Sequence, residues 1–123
     1  ENKFTLEEKQ VMSQYAQNYC TKKINSGNIN YIEELFKLYK LLLQKEIIFE
    51  GNRLSQNVYK NIVSIGIRLK QFDWTEKFIH AYKERLSPEY MENAFTYNLS
   101  TLYSYLLTLL AFALWLLEFL FID

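Results

Sequence analysis

The chain is short of the residues that mark chemistry and of those that interrupt helices. Among 123 residues there is one cysteine, Cys20, and one histidine, His80. A lone cysteine forms no internal disulfide, so the fold rests on packing, in a reducing compartment or a cysteine-poor secreted setting. One Cys and one His fall short of the three or four protein ligands that zinc needs. Cys20 as a nucleophile would require His80 beside it in space; a buried structural thiol is the simpler expectation. The three glycines stand apart at 27, 51 and 66, so there is no Gly-rich phosphate loop. Formal net charge is zero, and Lys22-Lys23 is an isolated basic pair suited to a helix end. That balance argues against nucleic-acid binding, which calls for a basic patch or stripe. Neither catalytic residues nor cofactor- or metal-binding residues emerge, and no enzyme activity is expected.

What the chain does have is apolar and aromatic content: half of its residues are apolar, with ten Tyr, nine Phe and two Trp. This is enough for one domain with a core, not a disordered chain. The chain opens Glu-Asn-Lys without an initiator Met or an apolar leader stretch. It is therefore expected to be a processed product or a piece of a longer protein, with no signal peptide remaining in it.

Helical signals follow one another. Thr5 with Glu8 fits a capping box opening a first helix, Leu6 to Lys23, with Tyr15, Tyr19 and Cys20 facing inward. Gly27 in "NSGN" suits its end. Asn30 caps a second helix, in which Ile32, Leu35, Phe36, Tyr39, Leu42 and Leu43 recur at helical spacing. "EGN" at 50–52 marks the next turn. Ser55 caps a third helix, with Val58, Ile62, Ile65 and Leu69 on one face and Gly66 inside it. An interior Gly costs about 1 kcal/mol against Ala, which implies a close neighbour there. Asp73 with Glu76 opens a fourth helix bearing Trp74, Phe78, Ala81 and Tyr82. Ser87 with Pro88 and Glu89 opens a fifth, carrying Met91, Phe95, Leu99, Leu102 and Leu106. A sixth is expected from about residue 107. "KEIIFEG" is too short and isolated to seed a sheet. The fold class is all-α: about six helices in antiparallel pairs, stacked as a fragment of an α-solenoid. Ser55 and Ser87 are about 32 residues apart, close to the roughly 34 of a tetratricopeptide unit.

Several stretches carry a family likeness. "NYCTKKINSGN", "ELFKLY", "VYKNIVSIGIRLKQFDWTEKFIHAYKERL" and "ENAFTYNLSTLYSY" resemble larger tetratricopeptide-repeat-like proteins of the Bacteroidota, from about Asn18 to Tyr105. "YNLSTLY" resembles a first-helix consensus, with Ser100 where Gly is usual. Ile65-Gly66 and Leu69 resemble the same positions one unit earlier, and Pro88 falls near a closing Pro. The resemblance implies degenerate repeats at about 55–86 and 87–123 within a single helical-repeat domain, and it brings no catalytic motif. It also implies a polar turn after "LYSY" and an amphipathic second helix ending as "FID" does. This sequence places Leu, Thr, Phe and Trp there instead.

That closing stretch, "SYLLTLLAFALWLLEFLFID", carries charge only at Glu118 and Asp123. One expectation is a cytoplasmic protein–protein interaction module, binding a partner protein or itself through Leu107, Leu110, Leu114, Trp115, Phe119 and Phe121. The helix would then be covered on one side by its own domain and on the other by another chain. The alternative is a membrane-tethered protein anchored by residues 102–122. Against the anchor, the strongly apolar part, Leu106 to Leu117, is shorter than the roughly 20 residues of a span. Extending it buries Glu118 at a cost of a few kcal/mol, and no Lys or Arg flanks it.

Overall fold

Five α-helices make up most of the molecule in a computed structural model that describes residues 3–122. They are α1 (Leu6–Asn25), α2 (Asn30–Gln44), α3 (Gln56–Arg68), α4 (Phe72–Ala81) and α5 (Met91–Phe121), with a 3-10 turn at Lys83–Arg85 before α5. No strand occurs among the described residues, and "KEIIFEG" is loop. Each helix packs on its neighbour in sequence, and α3 also packs on α5. The chain is thus an all-helical bundle.

Helix starts follow side-chain chemistry at two places. The Thr5 hydroxyl accepts from the Glu8 N–H at 3.1 Å, and the Glu8 carboxylate accepts from the Thr5 N–H at 2.7 Å, completing the expected capping box. Ser55 accepts from the Val58 N–H at 3.1 Å. The other three expected caps differ. Ile29 rather than Asn30 precedes α2, and α4 begins at Phe72, so Asp73 sits inside its first turn. Ser87 accepts a turn bond from the Tyr90 N–H at 2.9 Å, and α5 starts after Tyr90.

The ends of α1, α2 and α3 share one device that the sequence shows only at Gly27. At the end of α1, Gly27 (φ 96°) donates to the Ile24 carbonyl and Asn28 to that of Lys23, each at 3.0 Å. This is the paired 5→2 and 6→1 closure of a helix on a left-handed residue. Glu46 (φ 60°) closes α2 through Glu46-to-Leu43 and Ile47-to-Leu42 bonds of 3.2 and 3.0 Å. Lys70 (φ 59°) closes α3 through Lys70-to-Ile67 and Gln71-to-Gly66 bonds, both 2.9 Å. Helix α2 therefore ends at Gln44, before the "EGN" turn.

The core holds the expected face of α2, Ile32 to Leu43; of the expected α3 face, Ile62 and Ile65 are buried and Val58 and Leu69 pack at its edge, while Tyr59, Val63 and Ile67 are buried as well. On α1 the inward residues are Gln17 and Cys20, while Tyr15 and Tyr19 are exposed. Gly66 has the expected packing reason: a Cβ there would collide with Thr75 Oγ1 on α4 and lie 3.3 Å from Thr75 Cβ.

The α2–α3 loop is clamped to the turn before α5. The Leu54 N–H donates to the Arg85 carbonyl at 2.8 Å. The Arg53 guanidinium donates to the carbonyls of Glu84 (3.1 Å) and Leu86 (2.9 Å). Arg85 in return pairs with Glu46 at 3.2 Å and lies over the Phe49 ring at 3.7 Å. These contacts tie the first two helices to the last three.

The main departure from the sequence reading is at the end of the chain. No break occurs near residue 107. The expected fifth and sixth helices are one helix, α5, of 31 residues, so among the described residues five α-helices replace six and residues 87–122 do not form a helix pair. Between Leu106 and Leu117 the chain offers Leu, Ala, Thr, Phe and Trp, with no Gly, Pro or Asn to stop a helix. Local propensity therefore carries the helix through.

Candidate functional site

Helix α5 has two halves with different surroundings. In the first, Ala94, Asn98 and Leu102 are buried, and Phe95, Leu99 and Leu106 pack at the edge of the core. The Asn98 amide is satisfied by the Ala94 carbonyl at 2.8 Å. Two tyrosines finish the docking: the Tyr103 hydroxyl bonds Glu76 on α4, and the Tyr105 ring meets Phe72 at 5.8 Å.

Leu106 is the last α5 residue packed against the core. Beyond it the helix runs on as far as Phe121 with Leu116 alone half-buried, and Ile122 follows exposed. All six residues singled out from the sequence lie here. Leu107, Leu110, Leu114, Trp115, Phe119 and Phe121 are between 54% and 77% exposed. The expected cover from the protein's own domain is not there. At about 100° per residue these side chains cover about half of the circumference, and Leu109, Phe112, Leu117 and Leu120 fill the other half. A soluble surface helix has an apolar stripe; one apolar on every side is normally enclosed. Phe112, Trp115 and Phe119 stack along one side, with ring centroids 5.9 and 5.6 Å apart. Glu118 sits among them.

A second feature was legible only in part. Trp74 and Phe78 of α4 and Tyr82, the residue that ends it, form a continuous aromatic ladder, with centroids 5.4 and 5.1 Å apart. Phe36 of α2 meets the Trp74 ring edge-on at 4.8 Å. The shared face of α4 could be read from the sequence. That it leaves a groove of about 350 Å³ against α2, between Lys40 and Lys77, could not.

The residues considered for chemistry lie apart from both features. Cys20 is buried between α1 and the core, and burial first, then the Glu34 carboxylate, pushes its thiol pKa up. That is the opposite of nucleophile activation. His80 is exposed in the last turn of α4, its ring edge-on to Phe95 at 5.3 Å. Among the described residues no group of three or more His, Cys, Asp or Glu could hold a metal ion. No family model matches the chain, and no curated protein or solved structure matches it.

Proposed function

We propose that the chain is a non-catalytic helical interaction module, and that the projecting half of α5 is its attachment element. The observation that carries this is the all-round exposure of apolar side chains from Leu107 to Ile122. Burying a large apolar side chain stabilises by about 1.5–3 kcal/mol. A run of this size in water is a strong drive to associate with protein. The tetratricopeptide-like reading fits the same role: α1 packs on α2 and α3 on α4, which that reading takes as two helix pairs, with α5 opening a third whose second helix is replaced by the extension. Repeat stacks bind partners through surfaces rather than by chemistry. The reading places the module in the cytoplasm.

The test is sedimentation velocity on the full chain and on the variant Leu110→Lys, Leu114→Lys, Phe119→Lys. The parent is expected to associate and the variant to sediment as one chain with its helix content kept. A parent that stays monomeric across the concentration range contradicts the proposal.

A second reading has its own observation. Helix α5 contains an 18-residue window with mean hydropathy 2.0, none of it buried. Length and composition thus allow a bilayer span. Residues 107–122 reach about 24 Å at 1.5 Å per residue, short of a hydrocarbon core of about 30 Å. A span would draw in Leu102 to Leu106 and enclose Glu118. Flotation with phosphatidylcholine vesicles at both low and high salt supports this reading; recovery in the soluble fraction beside the vesicles removes it.

A further inference from the structure

The two apolar features outside the core complement each other. The groove between α2 and α4 is lined by Leu43, Trp74, Phe78 and Tyr82, and its rim carries Lys40 and Lys77. Lys40 stands over the Phe36 ring at 4.8 Å. Neither lysine has a carboxylate partner among the described residues. The groove follows α4 from Trp74 to Tyr82, two turns or about 12 Å. At the end of α5, Trp115, Glu118 and Phe119 share one face, and with Ile122, the residue just past the helix, they border a common hollow. Their spacing, i, i+3, i+4 and i+7, is how an amphipathic helix presents anchors to a groove. It also covers two turns, about 10.5 Å. One face thus offers two stacked aromatics around a single carboxylate. The other offers an aromatic floor between two unpaired cations. Helix α5 is unbroken to Phe121, so its last turns cannot fold back onto the α2–α4 groove of the same molecule.

We propose that the α2–α4 groove receives the last two turns of α5 from a second copy of this chain, with Lys40 and Lys77 flanking Glu118. The contact is heterologous: it closes as a dimer when two copies exchange tails and otherwise propagates as a chain of copies. The aromatic faces supply the burial, and the charges set register and orientation. The proposal rests on the protein-attachment reading above and adds the identity of the seat.

A charge-reversal cycle tests it, read by light scattering over a dilution series. The groove variant is Lys40→Glu with Lys77→Glu; the tail variant is Glu118→Lys. All three side chains are exposed, so an unchanged urea midpoint checks the fold of each chain. Each variant alone is expected to associate at least about tenfold more weakly than the parent, since like charges face each other across the contact. The chain carrying all three substitutions is expected to regain the parent's affinity, because the pairing is restored with reversed signs. If the groove variant associates as the parent does, the groove is not the seat. In that case loss of association in Trp115→Ala with Phe119→Ala still upholds attachment through α5. A parent that is monomeric at every concentration overturns both readings. A parent that floats with vesicles as a monomer overturns the groove in favour of the bilayer.

Discussion

At the scale of single residues, the fold is held by backbone closures and a few buried polar bonds. The left-handed turn at the end of α3 is made by Lys70, which has a Cβ and is exposed. Left-handed backbone costs an L-residue roughly 1 kcal/mol that Gly does not incur. Lys70→Gly is therefore expected to raise stability by about 0.5–1 kcal/mol in urea denaturation. Gly66→Ala should act the other way. Helix propensity favours Ala by about 1 kcal/mol. The new Cβ, however, drives into Thr75, whose hydroxyl is committed to the Gln71 carbonyl at 2.6 Å. Overpacking of this kind costs typically 1–3 kcal/mol, so a net loss is expected. Tyr59 is wholly buried, and its hydroxyl donates at 2.6 Å to the Ile79 carbonyl, one of the four that the end of α4 leaves without a helical partner. Tyr59→Phe should cost about 1–2 kcal/mol. Burial also holds the Tyr59 phenol protonated to higher pH in the folded chain than in the unfolded one. Its contribution is present in full below about pH 10, the ordinary tyrosine value, and is lost as pH rises above it. Stability measured between pH 9 and 11 should fall more steeply in the parent than in Tyr59→Phe.

At the scale of elements, α5 divides near Leu106 into a docked half and a free half, and mutational cost should divide with it. Leu102 is completely buried, so Leu102→Ala should cost about 2–5 kcal/mol. Leu110→Ala, two turns on and exposed, should change the urea midpoint of the monomer by less than about 0.5 kcal/mol. The elements also show what a sequence reveals. The α2 and α3 faces were legible because Ile32 to Leu43 and Val58 to Leu69 repeat at helical spacing over a continuous core. The Thr5 and Ser55 caps were legible because the bonds are local. The closures at Glu46 and Lys70 were not, because nothing in Glu or Lys announces a positive φ. Tyr15 and Tyr19 were misplaced because α1 is packed on one side by α2 and has no neighbour beyond it. The expected break near residue 107 had no breaker residue behind it: the residues between Leu106 and Leu117 are all compatible with an uninterrupted helix.

At the scale of the whole molecule, one imbalance dominates. The bundle satisfies its own core, and every buried side-chain nitrogen and oxygen among the described residues has a partner. The extension satisfies nothing within the chain. Its six flagged residues could be picked out because charge is almost absent from that stretch. Their all-round exposure could not, since it depends on α5 outrunning the helices it packs against. The most direct measurement is size-exclusion chromatography with light scattering on the full chain, without and with a mild detergent. Without detergent a mass above that of the 14.8 kDa chain is expected, a dimer or a larger chain of copies, reduced to a single chain by Leu110→Lys, Leu114→Lys and Phe119→Lys. A monodisperse 14.8 kDa species without detergent would contradict it.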